Sequence, residues 1–428
     1  MVYEGVDPVT GKDSYAVEST TDERAVQEIQ TRLQAQVDRQ RSAKTKAELG
    51  YVIETWLDQH DGEDTTLDGY RGYLRRTIQP HLGTVPAGKV TAKVLETFYA
   101  QLRKCSVICK GQPLVDHRTT QPHECKTVKH RRKPGRPARN APPHDCAQSG
   151  CTVIECPPHA CKPMARSSVR QIHAIISGAL DLAVRWEWID TNPADVAKKP
   201  RQEKPKPNPP SAQEAARMVE AAFEEDYAWG MLVWLKLTTG PRRGEILARR
   251  FEEIDFDELN PEPDDREGML RLGDSYVVRS GRKFFKDTKD HQQRQNSIDA
   301  FTLAGLWQLW LMYVERMEKL GREPVRSAFI FSYAADNSRP CNPDGITHRF
   351  GRLMVRLGMA YHLHSLRHYS ATELIAAGVD IRTVAGRLGH GGGGTTTLRI
   401  YTAFVPEADK RAAKLLAGRL GRPPQRTD

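Results

Sequence analysis

The chain has 428 residues, enough for two or three domains with cores of their own. Its 64 Lys and Arg outnumber 54 Asp and Glu, and the net charge of +10 favours a polyanionic partner, most simply nucleic acid. No run approaches the roughly 18 apolar residues of a membrane helix, and Glu4, Asp7 and Asp13 interrupt any signal-like start, so the expectation is a cytoplasmic protein with no membrane partner. Its eight cysteines are then expected to be mostly reduced.

At the amino terminus, Asp7-Pro8 and Thr10-Gly11 mark a turn between two short strands. An amphipathic helix follows from about Asp22 to Val37, with Thr21 or Asp22 as its cap. Helical periodicity returns over Thr45 to Trp56 and Asp64 to Gln79, the second ended by Pro80-His81-Leu82-Gly83. A third helix is expected over Val90 to Leu102. A long fourth, Met164 to Trp188, carries Ile172, Ile175, Ile176, Leu180 and Val184 on one face.

Between the third and fourth helices, the stretch from Cys105 to Cys161 has few apolar residues but seven cysteines and five histidines. In a reduced compartment such a segment can be ordered by zinc, and Cys151-x4-Cys156-x2-His159-x-Cys161 is the candidate ligand set for a structural ion. Inside it, Lys126 to Asn140 is dense in Lys and Arg and closed to helix by Pro134 and Pro137. Lys129, Arg131, Arg132, Lys133 and Arg136 are the candidate DNA contacts, along phosphates or in a minor groove. Gly135-Arg136-Pro137 is similar to the centre of an AT-hook, with Pro134 where an arginine is expected.

Lys199 to Pro210 is rich in Pro and Lys and reads as a semi-rigid tether. Ser211 then caps a helix through Glu220, and Tyr227 to Thr238 forms a buried helix around Met231, Leu232, Trp234 and Leu235. Arg242 follows at a turn and helix start, where backbone amides also favour an anion. Strands near Leu270 to Leu272, Tyr276 to Val278, Lys283 to Lys286 and Asn296 to Ile298 predict one small sheet, with a turn at Ser280-Gly281. Core helices are expected over Trp307 to Leu320 and Asp344 to Leu357.

From Tyr361 to Tyr401 the pattern turns chemical. His364 and Arg367 stand three apart, so a helix puts them on one face, where an imidazole and a guanidinium can grip one phosphate. A helix through Ala377, stopped by Gly378, and another over Val379 to Gly386, broken by Gly389, deliver His390. The run Gly391 to Gly394 reads as a mobile connection that lets Tyr401 swing against the grip. A last helix, Glu407 to Leu420, closes the reading.

Taken in order, Thr239-Gly240-Pro241-Arg242-Arg243-Gly244-Glu245, His364-x-x-Arg367, Leu388-Gly389-His390 and Tyr401 resemble the catalytic motifs of tyrosine recombinases, the phage-integrase family. The gap from His390 to Tyr401 looks about one residue longer than the family's usual spacing, which the glycine run can absorb. The resemblance implies a mainly α, multidomain fold: a partial arm-type DNA-binding domain over 1–44, a helical core-binding domain over 45–199 with the insertion at 105–161, a linker at 200–210, and over 211–428 a mixed α+β catalytic domain with a small antiparallel sheet. It places the hairpin lysine at Lys289, because Arg294 follows five later, with Lys286 as the competing choice.

The implied activity is site-specific cutting and rejoining of double-stranded DNA by an integrase of a phage or integrative element, of the actinobacterial type given its insertion. Tyr401 would be the nucleophile, Arg242 and Arg367 the phosphate clamp, His390 a further donor, His364 the group that takes or returns the tyrosine proton, and Lys289 the acid for the leaving oxygen. No cofactor is implied for catalysis. The implied partners are a homo-tetramer on paired attachment sites, an excision factor and a host DNA-bending protein. The alternatives are a catalytically silent DNA-binding regulator of the same fold, which the retention of all these side chains disfavours, and a dimer-resolving recombinase, in which an arm domain and this insertion are unusual.

Overall fold

The computed structural model describes residues 1–37, 45–119, 121–131, 144–202, 207–255, 267–279, 282–287, 294–390 and 394–401. They divide into two compact units, Met1–Glu203 and Lys204–Asp428, so the expected tether spans the boundary. Both are mainly helical with short antiparallel pairings, as expected. Among the described residues no helix is long and apolar enough to cross a membrane.

The first unit opens on the expected ribbon, β1 (Val2–Val6) against β2 (Asp13–Ala16), with Tyr3 opposite Tyr15. Asp7, only 2% exposed, ties its turn to the body of the unit. One carboxylate oxygen accepts from the amides of Val9 at 2.9 Å and Thr10 at 3.2 Å, the other from the Lys46 amide at 2.9 Å. Asp22 caps a short 3-10 turn that runs into α1 (Val26–Val37).

The helical core is made by α2 (Leu49–Gln59), α3 (Asp64–Tyr73), α4 (Ala92–Leu102) and α5 (Arg166–Arg185). Ile172, Ile175, Ile176 and Leu180 are fully buried on one face of α5, while Val184 is partly buried. Helix α2 approaches α5 closely at Gly178, where a Cβ would come within 2.6 Å of the Trp56 ring. Pro80 does not stop the second helix: the chain widens into a π-helix over Leu74–Gly83 and carries the proline through to Gly83. A four-residue helix, α6 (Pro193–Val196), capped by Asn192, follows α5.

In the insertion, β3 (Lys126–Lys129) pairs with β4 (Thr152–Glu155), and every β4 side chain is exposed. The four candidate zinc ligands do not form one site. Cys151 falls with His130, His144 and Cys146; Cys156 with His117, His123 and Cys125; His159 and Cys161 with Cys105 and Cys109. The reason is strand geometry. Cys151 and Cys156 flank β4, so extended backbone separates them by roughly 17 Å at about 3.4 Å per residue. Lys129 closes β3 with its side chain exposed and Arg131 is also exposed, whereas Arg132, Lys133 and Arg136 lie outside the described residues.

The second unit begins with α7 (Ala212–Glu225), started by a reciprocal Ser211–Glu214 capping box, then α8 (Tyr227–Thr238) and α9 (Arg243–Leu247). The single sheet expected next is instead two ribbons. β5 (Gly268–Leu272) pairs with β8 (Arg294–Ile298), and β6 (Asp274–Arg279) with β7 (Arg282–Asp287), a nested arrangement. Helices α10 (Ala300–Lys319), α11 (Pro343–Leu357), α12 (Ser365–Ala376), α13 (Ile381–Leu388) and α14 (Thr395–Tyr401) complete it. Trp229, Met231, Leu306, Phe350 and Leu366 fill its main core. The expected turn at Ser280-Gly281, Lys289, most of the Gly391–Gly394 run and the expected final helix lie outside the described residues.

Replacing Asp7 with Ala strands three part-buried amides. Urea unfolding should report a loss of about 1–3 kcal/mol in the first unit, with the Asn variant falling between it and the parent.

Candidate active site

The site is built around the carboxyl end of α13. Asp380 starts that helix by accepting from the Arg382 and Thr383 amides, both at 3.0 Å, and Gly389 ends it in the left-handed region at φ +64. Its last carbonyls point into the domain, at the negative end of the helix dipole. Three arginines from distant parts of the chain take three successive carbonyls. Arg294 Nε donates to Arg387 O at 3.1 Å, Arg367 Nη2 to Leu388 O at 2.5 Å, and Arg242 Nη2 to Gly389 O at 3.0 Å. Arg367, 1% exposed, also donates through Nη1 to Gly240 O at 2.7 Å, joining the α13 end to the turn before Arg242.

Among the described residues, one carboxylate partly offsets this cluster. Glu245, 1% exposed, accepts from Arg294 Nη2 at 2.6 Å and Nη1 at 3.3 Å, and from Arg242 Nη1 at 2.8 Å and backbone amide at 2.6 Å. Burial by itself would raise its pKa, but the bonds and charge of Arg294, then those of Arg242, hold it down at about 2. Gly389 must be glycine for a second reason besides its φ, because a Cβ there would lie 2.5 Å from Arg294 Nη1.

Lys236, 1% exposed, extends the positive cluster and donates through Nζ to Pro241 O. Burial, then the Arg367 charge, lowers its pKa to about 7. His390 is half-buried just past α13 and meets the fully buried Thr397 hydroxyl through Nδ1 at 2.8 Å. Burial and the charges of Arg367, Arg242 and Arg294 lower its pKa to about 4, so at neutral pH it is uncharged. If the hydroxyl donates to Nδ1, Nε2 carries the proton and is a donor. His364 sits at the start of α12 with an exposed face, its ring 4.8 Å from that of His368, and enclosure together with the surrounding positive charges lowers its pKa as well.

Of the residues singled out from sequence, Arg242, Arg367 and His390 are thus brought to one place, with His364 at its edge. Helix α14 is pinned beside α13 by Thr397 and by Ile400, which packs with Val384 and Leu388. Position 401 ends that helix four residues after Thr397, on the same helical face. Lys289 lies outside the described residues; Lys286 lines a cleft of about 710 Å³ with Arg294, Arg271 and Asp274. Sequence reasoning missed Lys236, whose only signal is a lysine in the apolar run of α8. It used Arg294 merely as a ruler for Lys289.

Residues 211–407, most of the second unit, match the phage integrase family. Among the curated proteins the chain resembles are a tyrosine recombinase XerC-like protein of Caldanaerobacter subterraneus, 23% identical over 43% of this chain and 48% of the relative. Another is the ICEBs1 integrase of Bacillus subtilis, 26% identical over 59% of this chain and 66% of the relative. The chain therefore spans between about half and two thirds of the length of these two relatives. Among solved structures, the Tn1549 transposon integrase in complex with transposon right end DNA shares the fold, with a TM-score of 0.58 and 14% identity over 86% of this chain and 99% of that one.

Replacing Glu245 with Ala leaves two arginines without their buried partner, and chemical unfolding of the chain should show a loss of about 3–5 kcal/mol. A second outcome concerns pH. His390 titrates at about 4 when folded but near 6.5 when unfolded, so the unfolded state binds the extra proton between those values. Stability should fall as pH drops from about 6.5 to about 4, and the His390→Asn variant should lose part of that slope in melting curves taken across the range.

Proposed function

We propose that this chain is a site-specific DNA recombinase that breaks and rejoins strands through Tyr401. The observation that carries the reading is the convergence of Arg242, Arg294 and Arg367 on the end of α13, with His390 immediately after it and Tyr401 on the helix that His390 contacts through Thr397. The fold shared with an integrase captured on transposon DNA supports it, as does the net charge of +10.

A tyrosine hydroxyl, with a free pKa near 10, needs help to attack a phosphodiester at neutral pH. In this reading His364, uncharged at pH 7, takes the Tyr401 proton. Negative charge growing on the non-bridging oxygens is met by the cationic cluster, with Arg242 the member whose side chain keeps 35% of its surface exposed, and by the Nε2 donor of His390. The 5′ oxygen leaves with a proton from Lys289, or from Lys286 if the nested ribbon supplies it. The tyrosyl ester of the 3′ phosphate preserves the energy of the broken bond, so rejoining needs no ATP. Integration or excision of a mobile element by a tetramer on paired attachment sites, assisted by an excision factor and a host DNA-bending protein, completes the proposal.

Two experiments test it. Supercoiled plasmid bearing the DNA that flanks the gene is incubated with the parent or with Tyr401→Phe, with no divalent cation added, then denatured. A protein-linked nicked product from the parent alone is expected; binding without adduct in both, on a plasmid proven to hold the site, would instead assign the chain as a silent regulator. For the acid, Lys289→Ala should slow cleavage by about 10²–10⁴-fold. A substrate with sulfur as the 5′ leaving atom, which departs without a proton, should restore the rate; rescue of Lys286→Ala instead would transfer the role.

A further inference from the structure

Among the described residues of the insertion between α4 and α5, only Cys105, Ile108 and Cys109, just after α4, are buried, so apolar packing does not order the rest. Its ribbon is four residues per strand, all β4 side chains are exposed, and an isolated two-stranded ribbon is marginal in water at best. Yet the seven cysteines and five histidines between Cys105 and Cys161 divide into three sets of four, with none left over. Within each set the ligating atoms all lie within 4.8 Å of one another. We propose that this insertion is an arm built on three structural zinc ions held in series, one Cys3His site at its root and two Cys2His2 sites along the ribbon.

The root site is Cys105, Cys109, His159 and Cys161, joining the chain just after α4 to the chain just before α5. Cys105 Sγ lies 3.2 Å from His159 Nε2, and Cys109 Sγ lies 3.3 Å from Cys161 Sγ. That separation is well beyond the roughly 2.05 Å of a disulfide and nearer the edge of a zinc tetrahedron, about 3.8 Å for ligands about 2.3 Å from the metal. Asp116 Oδ1 accepts from His159 Nδ1 at 2.6 Å, which turns Nε2 toward the thiols, the arrangement in which a carboxylate orients a metal-bound imidazole.

The two ribbon sites follow from register. Lys126 faces Glu155 and Lys129 faces Thr152, so the residues just outside these pairs also meet: Cys125 with Cys156 at one end, His130 with Cys151 at the other. His117 and His123 complete the first set. His123 Nε2 lies 3.1 Å from Cys156 Sγ, its Nδ1 is held by Gln121 O at 2.9 Å, and His117 Nδ1 lies 3.5 Å from Cys125 Sγ. His144 and Cys146 complete the second, with His144 Nε2 2.9 Å from Cys151 Sγ and His130 Nδ1 3.4 Å from Cys146 Sγ. Each end of the ribbon is thereby clamped across its two strands. Sulfur and imidazole in sets of four, with no carboxylate ligand, select zinc over calcium or magnesium.

The inference stands apart from the recombinase reading, since it concerns only how the arm is held. Native mass spectrometry and elemental analysis of the full chain, dialysed against buffer without chelator, should give about three zinc ions per chain. Cys161→Ser, Cys156→Ser and Cys151→Ser each remove one ligand from a different set and should each lower the content to about two, whereas Cys341→Ser, a buried thiol of the second unit, should change nothing. Cys151→Ser guards against misfolding, because its set lies at the far end of an exposed ribbon, and circular dichroism should match the parent. Fewer than three ions in the parent, or loss of all zinc from any one variant, would overturn the proposal. The second of these outcomes is what a single site shared by Cys151, Cys156, His159 and Cys161 would produce.

Discussion

Three guanidiniums on three successive carbonyls at the end of α13 are the contact on which the second unit depends. Arg242 comes from the turn after α8, Arg294 from the start of β8 and Arg367 from the first turn of α12. Their common target fixes where those elements meet. A helix end buried without partners would leave its carbonyls unsatisfied, and three unpaired arginines would be costlier still. Each problem solves the other. Glu245 then ties Arg242 to Arg294, leaving the cluster with an excess of positive charge that an anion can satisfy.

That excess sets the protonation of its neighbours. His390 is lowered by burial and the neighbouring arginines, His364 by partial desolvation and the charges of His368, Lys236 and the arginines, and Lys236 by burial and Arg367. Arrival of a phosphate would relieve the repulsion, so the imidazoles would become more basic as the anion binds. The same groups that hold the domain together therefore carry its excess of positive charge.

The first unit shows two different ways of ordering a chain. Around Ile53, Leu57, Ile172 and Ile176 apolar burial is enough, and α2 to α5 pack into a continuous core. Among the described residues of the insertion, nearly all ribbon side chains face water, and the groups that recur and converge are thiols and imidazoles. Asp7 works on a smaller scale: one buried carboxylate gathers the amides of the amino-terminal turn and of Lys46.

Much of this was legible along the sequence wherever the physics is local. Helical periodicity placed α8 and the face of α5, Ser211 marked a helix start, and Gly389 marked a helix end, because each depends on residues within a turn or two. The order Arg242, His364, Arg367, His390 and Tyr401 announced the family for the same reason: short motifs stay intact whatever lies between them. Tertiary structure alone decided that β5 pairs with β8, that Arg294 and Lys236 join the cluster, and that Cys151, Cys156 and His159 belong to three sets and not one. These depend on which distant segments lie side by side. Spacing along an extended strand measures separation, while ligands and ion pairs are chosen by proximity across strands and between helices.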